Sequence, residues 1–173
     1  MLKTLLKKWS KVVEIKNKVF YNAIVVKGRG LVMLIGTYKH SIDEKKRMRV
    51  PAKLKASLGS GFIITKGSDN CLFAFTKEDF EESVVSKIKS VAMFDSANQK
   101  SLRFLLASAF EAEEDNQGRI LVPQELRDYA KIKKQIVFIG AGNRVEIWAE
   151  EVWEDYSTGD FDSLASDLAN LGV

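Results

Sequence analysis

The sequence has few of the residues from which catalytic and metal sites are usually built. Its 173 residues include one cysteine, one histidine and two prolines. A single cysteine can form neither an internal disulfide nor a multi-cysteine metal site. The lone histidine, His40, has no evident partner for a dyad or a zinc site, so we interpret it as a surface residue. No run approaches the roughly 18 to 20 apolar residues of a membrane span. We therefore expect a soluble protein that is not an enzyme and has no cofactor, metal or small-molecule substrate.

The cysteine, Cys71, begins an apolar run that continues to Phe75. Such surroundings are typical of a buried structural thiol. The start of the chain also lacks the continuous apolar stretch and small-residue cleavage site of a secretory signal. Because proteins of the cytoplasm rarely carry disulfides, both observations favour a cytoplasmic protein.

Charge is distributed unevenly along the chain. The formal net charge is +4, but residues 1–32 alone hold eight basic residues against one acid, Glu14. Residues 33–173 hold 19 basic and 22 acidic residues, with no lysine or arginine after Arg144. The basic character therefore belongs to the first 32 residues, and it does not indicate that the rest of the chain binds nucleic acid.

Residues 1–32 form a separable basic extension whose first part has the pattern of an amphipathic helix. Two interpretations stay open. The extension is either an arm that binds a membrane surface or nucleic acid, or the product of a mistaken translation start upstream of Met33. We favour the second, because the organised pattern of the sequence begins at Met33.

The remaining sequence contains one unit twice. At an offset of 72 residues, segment 38–51 aligns with segment 110–123, and Asp, Arg, Val and Pro coincide. After one inserted residue the match continues at an offset of 73, through segments 75–81 and 148–154. Matched aromatic residues and a matched Asp-x-x-x-Arg in the same order indicate an internal duplication.

Each copy predicts the same order of elements, βαββα. An extended segment ends in a polar turn, a second strand ends at proline, and a short helix follows. A hairpin and a closing helix complete the unit. Neither unit has enough apolar surface to fold alone, so we expect a shared core. The expected boundaries are a basic extension at 1–32, a first unit at 33–81, connecting helices at 82–109, a second unit at 110–156 and an acidic tail at 157–173 with a short helix across Leu164, Leu168 and Leu171.

At these residues the sequence resembles the MraZ family. The resemblance covers residues 33–173 and rests on the tandem copies, the Asp-x-x-x-Arg turns at 43–47 and 115–119, the strands that end at proline, and segment 101–109. It implies an α+β, β-rich fold, a pseudo-two-fold swapped-hairpin barrel of the AbrB/SpoVT type with flanking helices. It also implies a nucleoid-associated regulator of the division and cell-wall gene cluster. Such a regulator binds G-rich direct repeats of double-stranded DNA in its own operon promoter as a ring-like homo-oligomer.

One position departs from the family pattern. The first turn usually has glycine before its arginine, and here that position is Lys46, whereas Gly118 keeps the glycine in the second turn. Glycine adopts a positive φ at low cost and lysine generally does not. Either the first turn has a different conformation, or Lys46 is strained.

The resemblance also implies the site. An exposed turn tip offers arginine, whose planar fork suits guanine and phosphate, and the aspartate either accepts hydrogen bonds from the turn backbone or braces the arginine. An ordinary surface turn with a weak ion pair is the alternative. The expected DNA-binding residues are Lys45, Lys46, Arg47 and Arg49 with Asp43 in the first turn, and Arg119 with Asp115 in the second.

The two turns differ in charge. Residues 39–55 have seven basic residues against two acids, a net +5, whereas residues 111–127 have two against five, a net −3. Because phosphate contacts dominate affinity for DNA, we expect the first copy to make most of the contacts. Two alternatives remain: an AbrB-like antitoxin, which usually carries a single copy, and an oligomeric scaffold that binds no DNA and has no need of the +5 turn.

Overall fold

The computed structural model describes residues 25–26, 31–88, 96–158 and 168–170. Before Met33 the described residues form two short antiparallel strands, β1 (Val25–Val26) and β2 (Leu31–Val32). The amphipathic helix expected at the start of the chain lies outside the described residues, and so does most of the helix expected in the acidic tail.

Both copies have the order ββαββα, one strand more than the expected βαββα order, because the short strand before each proline is separate from the extended segment that precedes it. Their strands are β3 (Leu34–Ser41), β4 (Arg47–Met48), β5 (Ile63–Lys66), β6 (Leu72–Phe75), β7 (Phe110–Glu111), β8 (Ile120–Leu121), β9 (Gln135–Gly142) and β10 (Val145–Ala149). The helices are α1 (Ala52–Leu58), α2 (Lys77–Phe80), a π-helical turn (Glu81–Val85), α3 (Ser86–Ile88), α4 (Ser96–Ser108), α5 (Gln124–Tyr129) and α6 (Glu150–Ser157).

Proline sets the change from strand to helix in both copies. Pro51 and Pro123 directly precede α1 and α5, with φ of −52° and −53°. Proline cannot donate to a strand ladder, and its fixed φ suits the start of a helix. The same residue type therefore directly precedes the helix in both copies, and β4 and β8 end two or three residues before the proline.

The strands form one large sheet and a small one. The large sheet is antiparallel with the order β3-β9-β10-β6-β5-β7, and the small sheet pairs β4 with β8. Strand β3 of the first copy pairs with β9 of the second, and its counterpart β7 pairs with β5 of the first. The fold is thus a mixture of helices with a large antiparallel sheet, in which each copy completes the sheet of the other.

The register shows how the copies are related. In the β6–β10 pair, Phe73 lies opposite Glu146, and the two positions are equivalent at the offset of 73. In the β4–β8 pair, Met48 lies opposite Ile120, its counterpart at the offset of 72. Since each residue faces its own counterpart, an approximate two-fold axis passes between the copies.

The main core lies between the copies, as expected from the size of each unit. Counterparts such as Leu54 and Leu126 are both 2% exposed, and each such side chain contributes about 1.5–3 kcal/mol when fully buried. The largest fully buried side chains in this shared cluster are Phe62, Phe138, Met48, Ile64, Leu72, Ile120, Ile136 and Ile147.

A smaller apolar cluster lies under helix α6. Cys71, Val137 and Trp148 are buried there, and the rings of Trp148 and Trp153 lie 5.5 Å apart. Burial raises the pKa of the Cys71 thiol to about 12. The prediction of a buried structural thiol is confirmed, and the thiol stays protonated at neutral pH.

Candidate nucleic-acid interface

The two Asp-x-x-x-Arg turns have the same backbone conformation. In the first turn the Asp43 amide donates to the Arg47 carbonyl at 2.8 Å, and the Lys46 amide donates to the Asp43 carbonyl at 2.9 Å. In the second turn the same two bonds join Asp115 to Arg119 and Gly118 to Asp115, each at 2.8 Å. The duplication therefore preserves the turn itself as well as its sequence pattern.

Lys46 adopts the conformation that glycine adopts in the second turn. Its φ is +63°, compared with +70° for Gly118. A residue with a Cβ pays about 1–2 kcal/mol for left-handed geometry. Of the two possibilities for this position, the turn keeps its type and Lys46 carries the strain.

Each aspartate both orders its turn and holds its arginine. The Oδ1 atom of Asp43 accepts the Arg47 amide at 2.9 Å, and Oδ2 accepts Arg47 Nε at 2.8 Å. Asp115 accepts the same two bonds from Arg119 at 3.0 and 2.9 Å. Both roles predicted for the aspartate are therefore confirmed, since one carboxylate performs them together.

The two turns are also joined to each other. Arg47 Nη1 lies 3.2 Å from Asp115 Oδ2, and Arg119 Nη1 lies 3.7 Å from Asp43 Oδ2. We call Asp43, Arg47, Asp115 and Arg119 the turn quartet; their side chains are 22–33% exposed. Sequence reasoning predicted the pair within each turn but missed the pairs between turns, because the sequence gives no sign of contact between residues so far apart along the chain.

Ionisation of the two carboxylates follows from these bonds. The hydrogen bond from the Arg47 side chain lowers the pKa of Asp43 below its ordinary value of 3.8. The Arg119 side chain lowers the pKa of Asp115 in the same way. Both carboxylates are thus charged at neutral pH, and two guanidinium groups and two carboxylates leave the quartet with no net charge.

The basic residues around the first turn fall into two groups. Lys45, Lys46 and Lys53 are exposed, and their side chains make no hydrogen bond or ion pair with other described residues. Others are engaged: Lys39 Nζ lies 2.7 Å from a Glu150 carboxylate, Lys55 Nζ lies 2.9 Å from Glu114, and Arg49 Nη2 donates to the Gln117 carbonyl at 2.6 Å. The charge that no acid pairs with therefore lies at the tip of the turn, on Arg49 and on helix α1.

A lysine-rich loop of the second copy lies beside the base of the first turn. The Ile42 amide donates to the Lys134 carbonyl at 2.9 Å, and Ser41 pairs with Gln135 in the β3–β9 ladder. Lys131, Lys133 and Lys134 are exposed, and Lys133 lies 3.0 Å from Glu151. The lysine run is visible in the sequence, but its position next to the other copy's turn depends on strand pairing and was missed.

The surroundings of the second turn are acidic. The Ala112 amide, at the base of that turn, donates to the Phe62 carbonyl at 2.8 Å. Glu113 and Glu114 follow, and Lys77 and Lys55 pair with Glu111 and Glu114. The first turn thus has lysines at its base where the second has glutamates.

Two further sequence expectations concern other kinds of site. His40 is exposed, and its ring edge meets Phe138 with centroids 5.8 Å apart. Among the described residues, no group of three or more His, Cys, Asp or Glu side chains is arranged to hold a metal ion, and no helix has the length and apolar character needed to cross a membrane.

Comparison with known proteins identifies relatives of this arrangement. A family model described as "MraZ protein, putative antitoxin-like" matches the chain twice, at residues 33–104 and 105–170. The chain is 44% identical over 144 residues to proteins named Transcriptional regulator MraZ from Thermoanaerobacter pseudethanolicus and Caldanaerobacter subterraneus. It is 43% identical over 143 residues to the protein of that name from Clostridium beijerinckii. Each match covers 82% of this chain and 100% of the relative.

The relatives are thus named as transcriptional regulators, and the family model matches this chain twice in tandem. The chain belongs to the MraZ family.

Proposed function

We propose that this chain is a sequence-specific DNA-binding regulator of the division and cell-wall gene cluster. In this proposal it binds G-rich direct repeats in the promoter of its own operon, acts in the cytoplasm in association with the nucleoid, and does no enzymatic chemistry. The observation that carries the proposal is a hydrogen-bonded turn whose tip presents Lys45 and Lys46, neither of which pairs with an acid among the described residues.

The charges suit a phosphate backbone. Lysine acts as a point charge toward phosphate, and each phosphate neutralised releases counterions, which makes binding sensitive to salt. We assign phosphate contacts to Lys45, Lys46 and Arg49 in the first turn. Arg47 and Asp43, with Arg119 and Asp115 of the second turn, complete the proposed DNA-binding site.

The affinity of one such turn for DNA is low, and we propose that oligomerisation raises it. A ring-like homo-oligomer presents several turns to successive repeats, and each bound turn raises the effective concentration of the next. The exchange of strands between copies supports the further proposal that the two units form a swapped-hairpin barrel of the AbrB type.

One alternative has a specific observation in its favour. The matching family model is described as antitoxin-like, so an antitoxin that binds DNA through the same turns is the second candidate. The tandem duplication favours the regulator, because AbrB-like antitoxins usually carry one copy. A toxin protein that copurifies with the chain at fixed stoichiometry would favour the antitoxin.

The proposal is tested by fluorescence anisotropy with two labelled duplexes across a salt series. One duplex carries the DNA upstream of this gene, and the other has the same composition in scrambled order. We expect the upstream duplex to bind about a thousandfold more tightly, with an affinity that falls steeply as salt rises. Equal affinity for both duplexes would reject sequence-specific regulation.

A matched pair of variants locates the contact. Lys45 and Gln117 are equivalent positions in the two turns. We expect Lys45→Ala to weaken binding and to reduce the salt slope by about 0.9, the value for one phosphate contact, whereas Gln117→Ala leaves both unchanged. Equal losses from the two variants would contradict the assignment of the contacts to the first turn.

A further inference from the structure

The turn quartet has a second consequence, which rests on the proposed DNA binding. We infer that Arg47 and Arg119 are positioning residues that lock the two turns into one platform. Arg119, in the acidic copy, is then as necessary for DNA binding as Arg47, although neither arginine supplies the attraction to phosphate.

The geometry occupies every nitrogen of both guanidinium groups. Arg47 Nε and Nη2 lie 2.8 and 2.7 Å from Asp43 Oδ2, and Nη1 lies 3.2 Å from Asp115 Oδ2. Arg119 repeats the arrangement, with Nε and Nη2 at 2.9 and 2.7 Å from Asp115 and Nη1 at 3.7 Å from Asp43. Each nitrogen of Arg47 thus already has a carboxylate neighbour, and a move of its side chain toward a guanine edge would weaken the contacts with Asp43 and Asp115.

If Arg47 or Arg119 left the turn quartet, the binding of DNA would also become less favourable. The quartet is neutral only while all four groups are present. Removing one guanidinium leaves two carboxylates facing one cation, and the uncompensated acid then lies beside the phosphate backbone. Lys45 and Lys46, whose side chains have no described partner, attract phosphate without that cost.

The closed arrangement makes the copies interdependent. Asp43 Oδ1 orders the first turn through the Arg47 amide, and its Oδ2 is shared by both arginines. Loss of Arg119 therefore removes a partner from the carboxylate that fixes Lys45 and Lys46 in place. The effect reaches the first turn even though Arg119 lies in a segment of net negative charge.

The sharpest test asks whether one substitution raises or lowers the affinity for DNA. Asp115→Asn removes a negative charge near the proposed DNA surface, and on Coulombic grounds alone the affinity should rise. We expect it to fall about tenfold, because Arg47 loses its partner in the other turn. Glu113→Gln is the matched control: it removes the same charge two residues away, outside the quartet, and should leave the affinity equal or higher.

The two arginines are compared in the same assay, at a temperature at which circular dichroism shows every variant folded. Arg47→Ala and Arg119→Ala should each lower the affinity about tenfold and leave the salt slope unchanged. The inference is overturned if Asp115→Asn binds as tightly as Glu113→Gln. It is also overturned if Arg119→Ala binds normally while Arg47→Ala reduces the slope by about 0.9, which would make Arg47 a phosphate contact.

A second measurement separates this inference from the proposed function. The Arg47 amide donates to Asp43 Oδ1, and its rate of hydrogen exchange can be measured without DNA. We expect this amide to exchange at least about tenfold faster in Arg119→Ala and to be unchanged in Glu113→Gln. If the wild type binds no specific DNA, the proposed function fails; faster exchange would still support the coupling of the turns, and unchanged exchange would overturn it.

Discussion

The two turns of this protein share one backbone and differ in what surrounds it. Both have the same pair of backbone hydrogen bonds and the same aspartate bonded to the same arginine. The first carries two uncompensated lysines at its tip and a lysine loop at its base, whereas the second has Asn116, Gln117 and Gly118 at its tip and glutamates at its base. Shape alone therefore does not distinguish a DNA-contacting turn from a supporting one.

The comparison of the two turns separates backbone conformation from charge. The turn conformation survives replacement of glycine by lysine, because the aspartate and the quartet determine the backbone. Charge is set by side chains that the conformation does not require. Each of the following experiments changes one of these properties while it keeps the other.

The largest effect should come from giving the first turn the tip of the second. Glu44→Asn, Lys45→Gln and Lys46→Gly together copy the second turn and leave the quartet intact. We expect affinity for the upstream duplex to fall at least about tenfold, and the salt slope to fall by about 1.8, because two phosphate contacts disappear. Anisotropy across a salt series measures both. Unchanged affinity would mean that the tip charges are not what distinguishes the turns.

A smaller effect should follow from the loop beside the first turn. Lys131→Gln with Lys134→Gln removes two charges but keeps the Lys134 carbonyl that accepts the Ile42 amide. We expect a loss of about three- to tenfold in affinity at about 0.15 M salt, where charges beyond roughly 8 Å are largely screened. The matched control is Lys87→Gln, in α3 of the first copy. Equal losses from the control would show only a general effect of net charge.

Stability should respond to the strain at Lys46. Lys46→Gly removes the cost of a positive φ, and we expect the free energy of unfolding to rise by about 1 kcal/mol, whereas Gly118→Lys should lower it by a similar amount. Urea unfolding measures both variants. A Lys46→Gly variant less stable than the wild type would show that the lysine side chain stabilises the turn in a way that its geometry does not reveal.

The smallest expected effect is on the stability of the fold at acidic pH. The pKa of Asp43 and Asp115 is lowered in the folded protein by hydrogen bonds from Arg47 and Arg119. Both groups therefore stabilise the fold above the ordinary value of 3.8, and this stabilisation is lost as pH falls through the lowered values. Urea midpoints measured from neutral pH to below 3.8 should fall less steeply for Asp43→Asn than for Glu44→Gln. Identical pH profiles would show that the quartet does not stabilise the folded state.

Much of the fold was predictable from the repeat. Two copies of a pattern with proline at the same position gave the order of elements, and helices α1 and α5 begin where Pro51 and Pro123 predict. Strand lengths were less predictable: β9 runs from Gln135 to Gly142, longer than its apolar core, because pairing with β3 along its whole length extends it. Pairing between copies depends on tertiary contacts that no local pattern encodes.

The candidate site was predictable in part for the same reason. Asp43 and Arg47 lie four residues apart, so their bond could be inferred from the turn. The bonds from Arg47 to Asp115 and from Arg119 to Asp43 join distant segments and depend on the axis between β4 and β8. Similarly, the net charge of residues 39–55 overstated the available positive charge, because Lys39 and Lys55 are paired with acids from the second copy.

The register at the two-fold axis has a consequence for how such a molecule can evolve. Phe73 lies opposite Glu146. The guanidinium group of Arg144 pairs with that glutamate and lies 4.5 Å from the centre of the Phe73 ring. In a dimer of identical chains, the residue at this point would face its own copy, and two glutamates there would repel each other. Gene duplication within one chain removes that restriction, because each half mutates separately while the partners remain covalently joined at any dilution. The same freedom allows one turn to gain charge while its twin loses it.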